Sequence, residues 1–346
     1  MTQSIHRRQL LAGCAAATAL AAFPARATAV PRYRITDLGD LGGPSIRVCG
    51  LNDLGAVTGM ATRHGPDHYG VAFLSENGRM RGLKWEGFPT LGQAINSRGQ
   101  ITVRNAPPGV RYAWVWSDGA LRQIQGPLGT AIRANGINEA GQVTGEISDD
   151  QGYVDSGGSM VLIPRPADFD YIGCQAINNH GVVAGCYYHR FTNIGGRAFI
   201  WANGQMTTLQ ITDAFSHTAF DINDVGQVCG SSYRDLDSRA RAFIWHEGQT
   251  VHLPNLGSHK GSSSRASAIN NAGVVAGTST RRRGQGLSPD HATVWHGHQP
   301  YALDDLADEA SAGWVMLSAV DINNSGRVVG QGLFNGVERG FLATPV

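Results

Sequence analysis

The chain has 346 residues, 46 of them Gly, with 42% hydrophobic residues, 16% charged and a formal net charge of +1. Glycine at about 13% is roughly twice ordinary usage; it penalises helix interiors and suits tight turns, so a helical bundle is excluded and many short strands are expected. The hydrophobic share excludes disorder, and the near-neutral balance gives no global pull towards nucleic acid.

The first 29 residues read as an export signal. Arg7-Arg8 precede an apolar stretch from Leu10 to Phe23, then Pro24 and two small-residue cleavage patterns, Ala25-Arg26-Ala27 and Ala27-Thr28-Ala29. The paired arginines resemble the twin-arginine type, which exports folded proteins. Leu11-Ala12-Gly13-Cys14 resembles a lipobox, but cleavage at Cys14 would leave only Leu10 to Gly13 as an apolar core. The expectation is a soluble protein, periplasmic or extracellular, with residues 30–346 as one domain. Removing the leader takes three arginines and no acid, which brings the balance to −2. No later stretch approaches the roughly 18 apolar residues of a membrane span. Cys49, Cys174, Cys186 and Cys229 remain, with no CxxC pair, so zinc and thioredoxin-like readings fail.

Tyr33-Arg34-Ile35-Thr36-Asp37-Leu38 reads as a strand that opens no unit of its own. Behind it a small-Ile-Asn-x-x-Gly-x-Val-x-Gly motif recurs. It appears as GLNDLGAVTG, AINSRGQITV, GINEAGQVTG, AINNHGVVAG, DINDVGQVCG, AINNAGVVAG and DINNSGRVVG, its asparagines 44, 42, 40, 45, 47 and 53 residues apart. Between copies lies a second pattern, as in Ala198-Phe199-Ile200-Trp201, Asn203-Gly204, then Met206 and Leu209. Each unit therefore offers four strands. Strand a ends at Ile-Asn, b is Val-x-Gly, c is Ala-Phe-x-Trp and d is Met-x-x-Leu. The Asn-x-x-Gly corner suits a type I turn with Gly left-handed. Four-stranded units at this period predict an all-β fold, a closed propeller of seven blades. The last unit ends within strand c at Gly340-Phe341-Leu342-Ala343, so the strand at Tyr33 is expected to complete it. Two departures, Val103-Arg104 in place of Val-x-Gly and Asp155 in place of Trp, are expected to weaken single blades.

The combination of AFIW…NG, DLGDLGG and AINNxGVVAG resembles the HAF-repeat family of bacterial extracellular proteins, over nearly all of residues 33–346. The resemblance implies an exported repeat protein. It carries no established activity, so no catalytic residues transfer.

Among chemical candidates, the seven motif asparagines read as turn caps rather than ligands. Trp116, Trp201, Trp245 and Trp295 read as core. Val154-Asp155-Ser156-Gly157-Gly158 is similar to the nucleophile segment of trypsin-like proteases, but lacks matching His and Asp segments. His64, Asp67 and His68 surround Pro66 and so are not a zincin pair; a solvated loop is expected, with no metal and no cofactor. Irregular sequence concentrates on the face formed by the b–c and d–a loops, where function usually sits. That face is expected to carry Arg63, His64, His68, Arg104, Arg111, Tyr187, Tyr188, His189 and Arg190. It continues with Arg234, Arg239, Arg281-Arg282-Arg283 and Arg339, diluted by acids such as Asp149, Asp150, Asp235 and Asp237.

Arginines there suit carboxylates or sulfates. The first reading is thus a monomeric, non-catalytic propeller that binds an anionic carbohydrate or a protein partner through this face. The alternative is a secreted polysaccharide lyase, with Tyr or His as base and Arg neutralising a uronate carboxylate. Finally, a turn at Asn178-Asn179-His180-Gly181 predicts that Cys174 faces Cys186 across the hairpin, close enough for a disulfide, although cross-strand geometry strains one. Cys49 and Cys229 are expected to be unpaired.

Overall fold

The computed structural model describes residues 29–64, 70–83, 89–105, 112–127, 130, 132–148, 150–190, 195–236, 238–257, 261–283 and 286–346, with side chains left out at 282–289. His68, Asp67, Arg111, Asp149 and Asp237 lie outside the described residues, as do the side chains of Arg282 and Arg283.

Seven antiparallel sheets of four strands each make the blades. Blades one to six run β2–β5 (42–82), β6–β9 (90–124), β10–β13 (132–164), β14–β17 (171–208), β18–β21 (216–252) and β22–β25 (264–302). Blade seven takes β26–β28 (314–345) and, as its outermost strand, β1 (Tyr33–Asp37). β1 pairs antiparallel with β28, Tyr33 opposite Pro345 and Asp37 opposite Phe341, so the first strand seals the last blade. A short helix, Leu303–Leu306, and a single 3-10 turn, Glu309–Ser311, fill the long connection between blades six and seven. Among the described residues no helix is long and apolar enough to cross a membrane.

The core is seven separate clusters, each between adjacent blades. Ile172, Cys174 and Phe199 of blade four pack on Val154 and Ile163 of blade three. Leu38 and Val329 carry blade seven onto Val48 and Phe73 of blade one. That seventh cluster is the physical seam of the ring. The strand c tryptophans at 116, 201, 245 and 295 are buried, as expected.

The turn glycines of all seven motifs have positive φ, from 72° at Gly99 to 92° at Gly55, the region that favours residues without a Cβ. Inside strand b the motif glycine has a different cause. A Cβ at Gly145 would stand 1.8 Å from the Arg133 carbonyl oxygen, and one at Gly230 would stand 2.0 Å from that of Thr218. Strand a presses its backbone there because it is bulged. Blade two has Val103 at this position of strand b, paired with Gly92 on strand a, where a Cβ would stand 2.1 Å from Thr58 Oγ1 of blade one.

Asp155 is likewise accommodated. It is 2% exposed, and Arg122 of blade two reaches it at 2.6 Å. The corresponding arginine of blade one, Arg81, lies over Trp116 with 5.2 Å to the ring centroid. At the next seam, the Trp-to-Asp exchange therefore puts an ion pair where the seam of blades one and two has a cation–π contact.

Candidate functional site: the central channel

Every strand a skips one residue in its pairing, three positions before the motif asparagine. The ladder passes from Val48 to Gly50, from Gly92 to Ala94, from Ala134 to Gly136 and from Cys174 to Ala176. Blades five, six and seven do the same at Phe220, Ser267 and Val320. A bulge turns its extra residue out of the ladder. Here all seven extra residues line one cavity of about 490 Å³ bounded by the inner strands.

The repeat also corrects the expected hairpin register. The turn forms as predicted, with Asn178 N–H bonded to the Val182 carbonyl at 3.0 Å. The bulge at Gln175 then slips the strand, so Cys174 faces Gly185 and Cys186 faces Gly173. Cys174 bonds towards Thr144 of blade three and Cys186 towards Thr218 of blade five, on opposite faces of the sheet. All four cysteines are free thiols. Burial pushes Cys174 well up and Cys186 up to about 12.

The channel is tiered. Arg47 and Arg265 sit two residues before the bulge and are exposed to the cavity they line. Arg265 stacks its guanidinium on Phe220, 3.5 Å from the ring centroid. Arg104, one strand outward, donates to Gln93 Oε1; a guanidinium only donates, so the Gln93 amide keeps its N–H side for other partners. Glu146, 3% exposed, binds Arg133 at 2.9 Å and Asn135 Nδ2 at 2.7 Å. Burial raises its pKa against those bonds. Among the described residues, Arg47, Arg104 and Arg265 have no carboxylate within ion-pair distance.

Just past the bulge, Asp221 and Asp321 occupy the position that holds Gly or Ala in the other blades. Asp221 accepts the N–H groups of Ile222 and Ile269, and Asp321 those of Ile322 and Leu51, all at 2.8 Å. Burial first, then the Asp221 charge, pushes Asp321 up to about 7; burial also raises Asp221. Below them Leu51, Ile95, Ile137 and Ile177 line both this cavity and a second of about 150 Å³. That aliphatic collar marks where the two cavities meet.

Beneath the collar the motif asparagines form a closed ring. The side-chain amide of each donates to the backbone carbonyl of the next: Asn52 to Asn96, Asn96 to Asn138, Asn138 to Asn178 and Asn178 to Asn223, all at 3.0 Å. Asn223, Asn270 and Asn323 continue it, and Asn323 closes on the Asn52 carbonyl at 3.0 Å. Each Oδ1 meanwhile accepts the N–H four residues on, and all but those of Asn138 and Asn223 also accept the N–H two residues on, as at His180 and Val182. These asparagines cap turns, as expected, and also clasp neighbouring blades.

The loop-face candidates do not converge. Arg63 and His64 belong to blade one, Arg234 and Arg239 to the loop after β19, and Arg281 to blade six, where it pairs with Asp305 at 2.9 Å. Arg339 pairs with Asp40 at 3.2 Å and Asp37 at 3.4 Å. Only Tyr187, Tyr188, His189 and Arg190 share a corner. Tyr187 is not a loop residue: it is 5% exposed, inside the blade-four core, its hydroxyl 2.6 Å from Thr208 Oγ1. His189 stacks on Phe169 and lies 3.8 Å from Asp170, and Arg190 covers Tyr171. Arg104 stands within strand β7, behind the channel, rather than on a loop. Among the described residues no group of three or more His, Cys, Asp or Glu is placed to hold a metal.

No family model and no curated protein matches the chain. Solved structures match its fold. Virginiamycin B lyase from Staphylococcus aureus is similar over 91% of this chain and 100% of its own, at 10% identity and a TM-score of 0.55. YCF48, in a structure with the D1 peptide bound, covers 92% of this chain and 97% of its own, at 11% identity and 0.55. A puromycin-hydrolyzing peptidase from Mycobacterium tuberculosis covers 88% of this chain, which spans 52% of that one, at 12% identity and 0.52. At such identities the likeness is one of fold.

Proposed function

We propose that this is an exported, non-catalytic binding propeller of the HAF-repeat kind. It takes an anionic ligand, of the acidic-polysaccharide class, on the face where its b–c and d–a loops lie and the channel begins. The observation that carries the reading is the arginine tier: Arg47 and Arg265 line the cavity and Arg104 stands behind it, with no carboxylate in ion-pair distance of any of the three among the described residues. Guanidinium groups not neutralised by a carboxylate are recognition elements for carboxylates and sulfates. The leader, with Arg7-Arg8 before its apolar stretch, and the repeat motifs support export.

The test is retention of the purified domain on immobilised polyuronate compared with neutral dextran, while ultraviolet absorbance reports any unsaturated product. Retention without product supports the binding reading. Product formation lost in His189→Ala would establish the lyase instead. For export, Arg7-Arg8 replaced by Lys-Lys should hold the precursor in the cytoplasm; normal processing would refute the twin-arginine route.

A further inference from the structure

We infer, building on that reading, that the channel itself is the anion site and that it accepts one compact anionic group, the end of a ligand rather than the middle of a polymer. Arg47 and Arg265 supply the cationic contacts and Gln93 an amide donor. Three independent features converge. Arg47 and Arg265 both face a cavity of about 490 Å³, within the size range of small-ligand pockets. Arg104 fixes Gln93 through its Oε1, which leaves an N–H donor on a residue that lines the same cavity. Past the collar at Leu51, Ile95, Ile137 and Ile177 the channel continues into a smaller cavity of about 150 Å³, so the larger space lies on the arginine side.

Charge sets the depth. Asp221 and Asp321 line the same cavity next to the collar, and each already holds two backbone N–H groups. An anion is repelled from that end and attracted to the arginine tier. The shared ligand chemistry is a carboxylate, sulfate or phosphate group, borne by a small sugar acid or present as the inorganic ion.

Calorimetric titration of the domain with glucuronate, sulfate, phosphate and neutral glucose tests the inference. One equivalent of an anion should bind and glucose should not. Tighter glucuronate identifies an organic acid as the source and tighter sulfate or phosphate an inorganic one; either supports the site. Arg47→Gln and Arg265→Gln should each weaken binding about tenfold or more, the usual weight of a charge-assisted contact. Gln93→Glu, which turns a donor into a third acid in the cavity, should abolish it. Arg190→Gln and Arg239→Gln, on the outer loops, should leave it unchanged, and all variants should melt with the parent.

Loss of binding confined to the outer-loop variants overturns the channel site. So does the absence of any heat with all three anions. If polyuronate retention then persists in Arg47→Gln and Arg265→Gln, the binding-module reading stands and only the channel site falls. If retention is also absent, both fall.

Discussion

Replacing Asn178 by Ala removes three hydrogen bonds at one stroke. Its Oδ1 accepts the N–H groups of His180 and Val182, each at 3.0 Å, and its Nδ2 donates to the Asn223 carbonyl at 3.0 Å. The residue is 5% exposed, so water cannot replace all three. At about 1 kcal/mol per bond, plus desolvation of the orphaned N–H of Val182, the cost comes to about 3–4 kcal/mol. For a domain of this size that corresponds to about 5 °C in Tm.

Asn178→Asp separates the two roles. The carboxylate keeps the acceptor but has no donor for Asn223, and its charge faces a carbonyl. Protonation restores an O–H donor, so the introduced carboxyl has a raised pKa in the folded state. Its stability is then greatest below the unfolded pKa near 4 and is lost as pH rises. Calorimetry of both variants from pH 4 to 8 is the assay. A cost below about 0.5 kcal/mol for Asn178→Ala, or an Asp variant that gains on the parent as pH rises, would refute the ring as a source of stability.

Deleting residues 30–40 should lower the melting of the whole ring, because it strips Tyr33, Ile35 and Leu38 from buried clusters in the closing blade and the seam with blade one; an unchanged transition contradicts that closure. Thiol titration of residues 30–346 should find four free thiols after unfolding and slow reaction of all four when folded, the partly buried Cys49 first, since burial raises its thiol pKa as well; two free thiols on unfolding would mean a disulfide. Asp321, raised to about 7, should make the parent less stable as pH climbs from about 4 to 7, since the folded carboxyl holds a proton that the unfolded one has released. Asp321→Asn should remove much of that slope in urea titrations, and an unaltered slope would be contrary.

The blades were legible in sequence because their constraints repeat. A left-handed glycine and a capping asparagine leave the same trace in all seven units, and the offset ends at Tyr33 and Phe341 betray the closing strand. The register around Cys174 was not legible, because the bulge is a backbone event at Gln175 that no residue type announces. The channel escaped for the converse reason. Its lining falls at the positions where the motif varies, Arg47, Gln93, Phe220 and Arg265 among them, and a search for repetition discards variable positions. Tyr187 looked like loop because strand β15 runs three residues beyond the motif. The Arg63, Arg234, Arg239 and Arg281 set was drawn from three blades, and sequence spacing carries no radial distance from the axis.

The most direct measurement of where an anion binds is an anomalous difference map from crystals of the domain soaked in selenate. A peak inside the channel within hydrogen-bonding reach of Arg47 or Arg265, absent in Arg265→Gln, is the predicted result. Peaks confined to the outer loops, at Arg190 or Arg239, would contradict it.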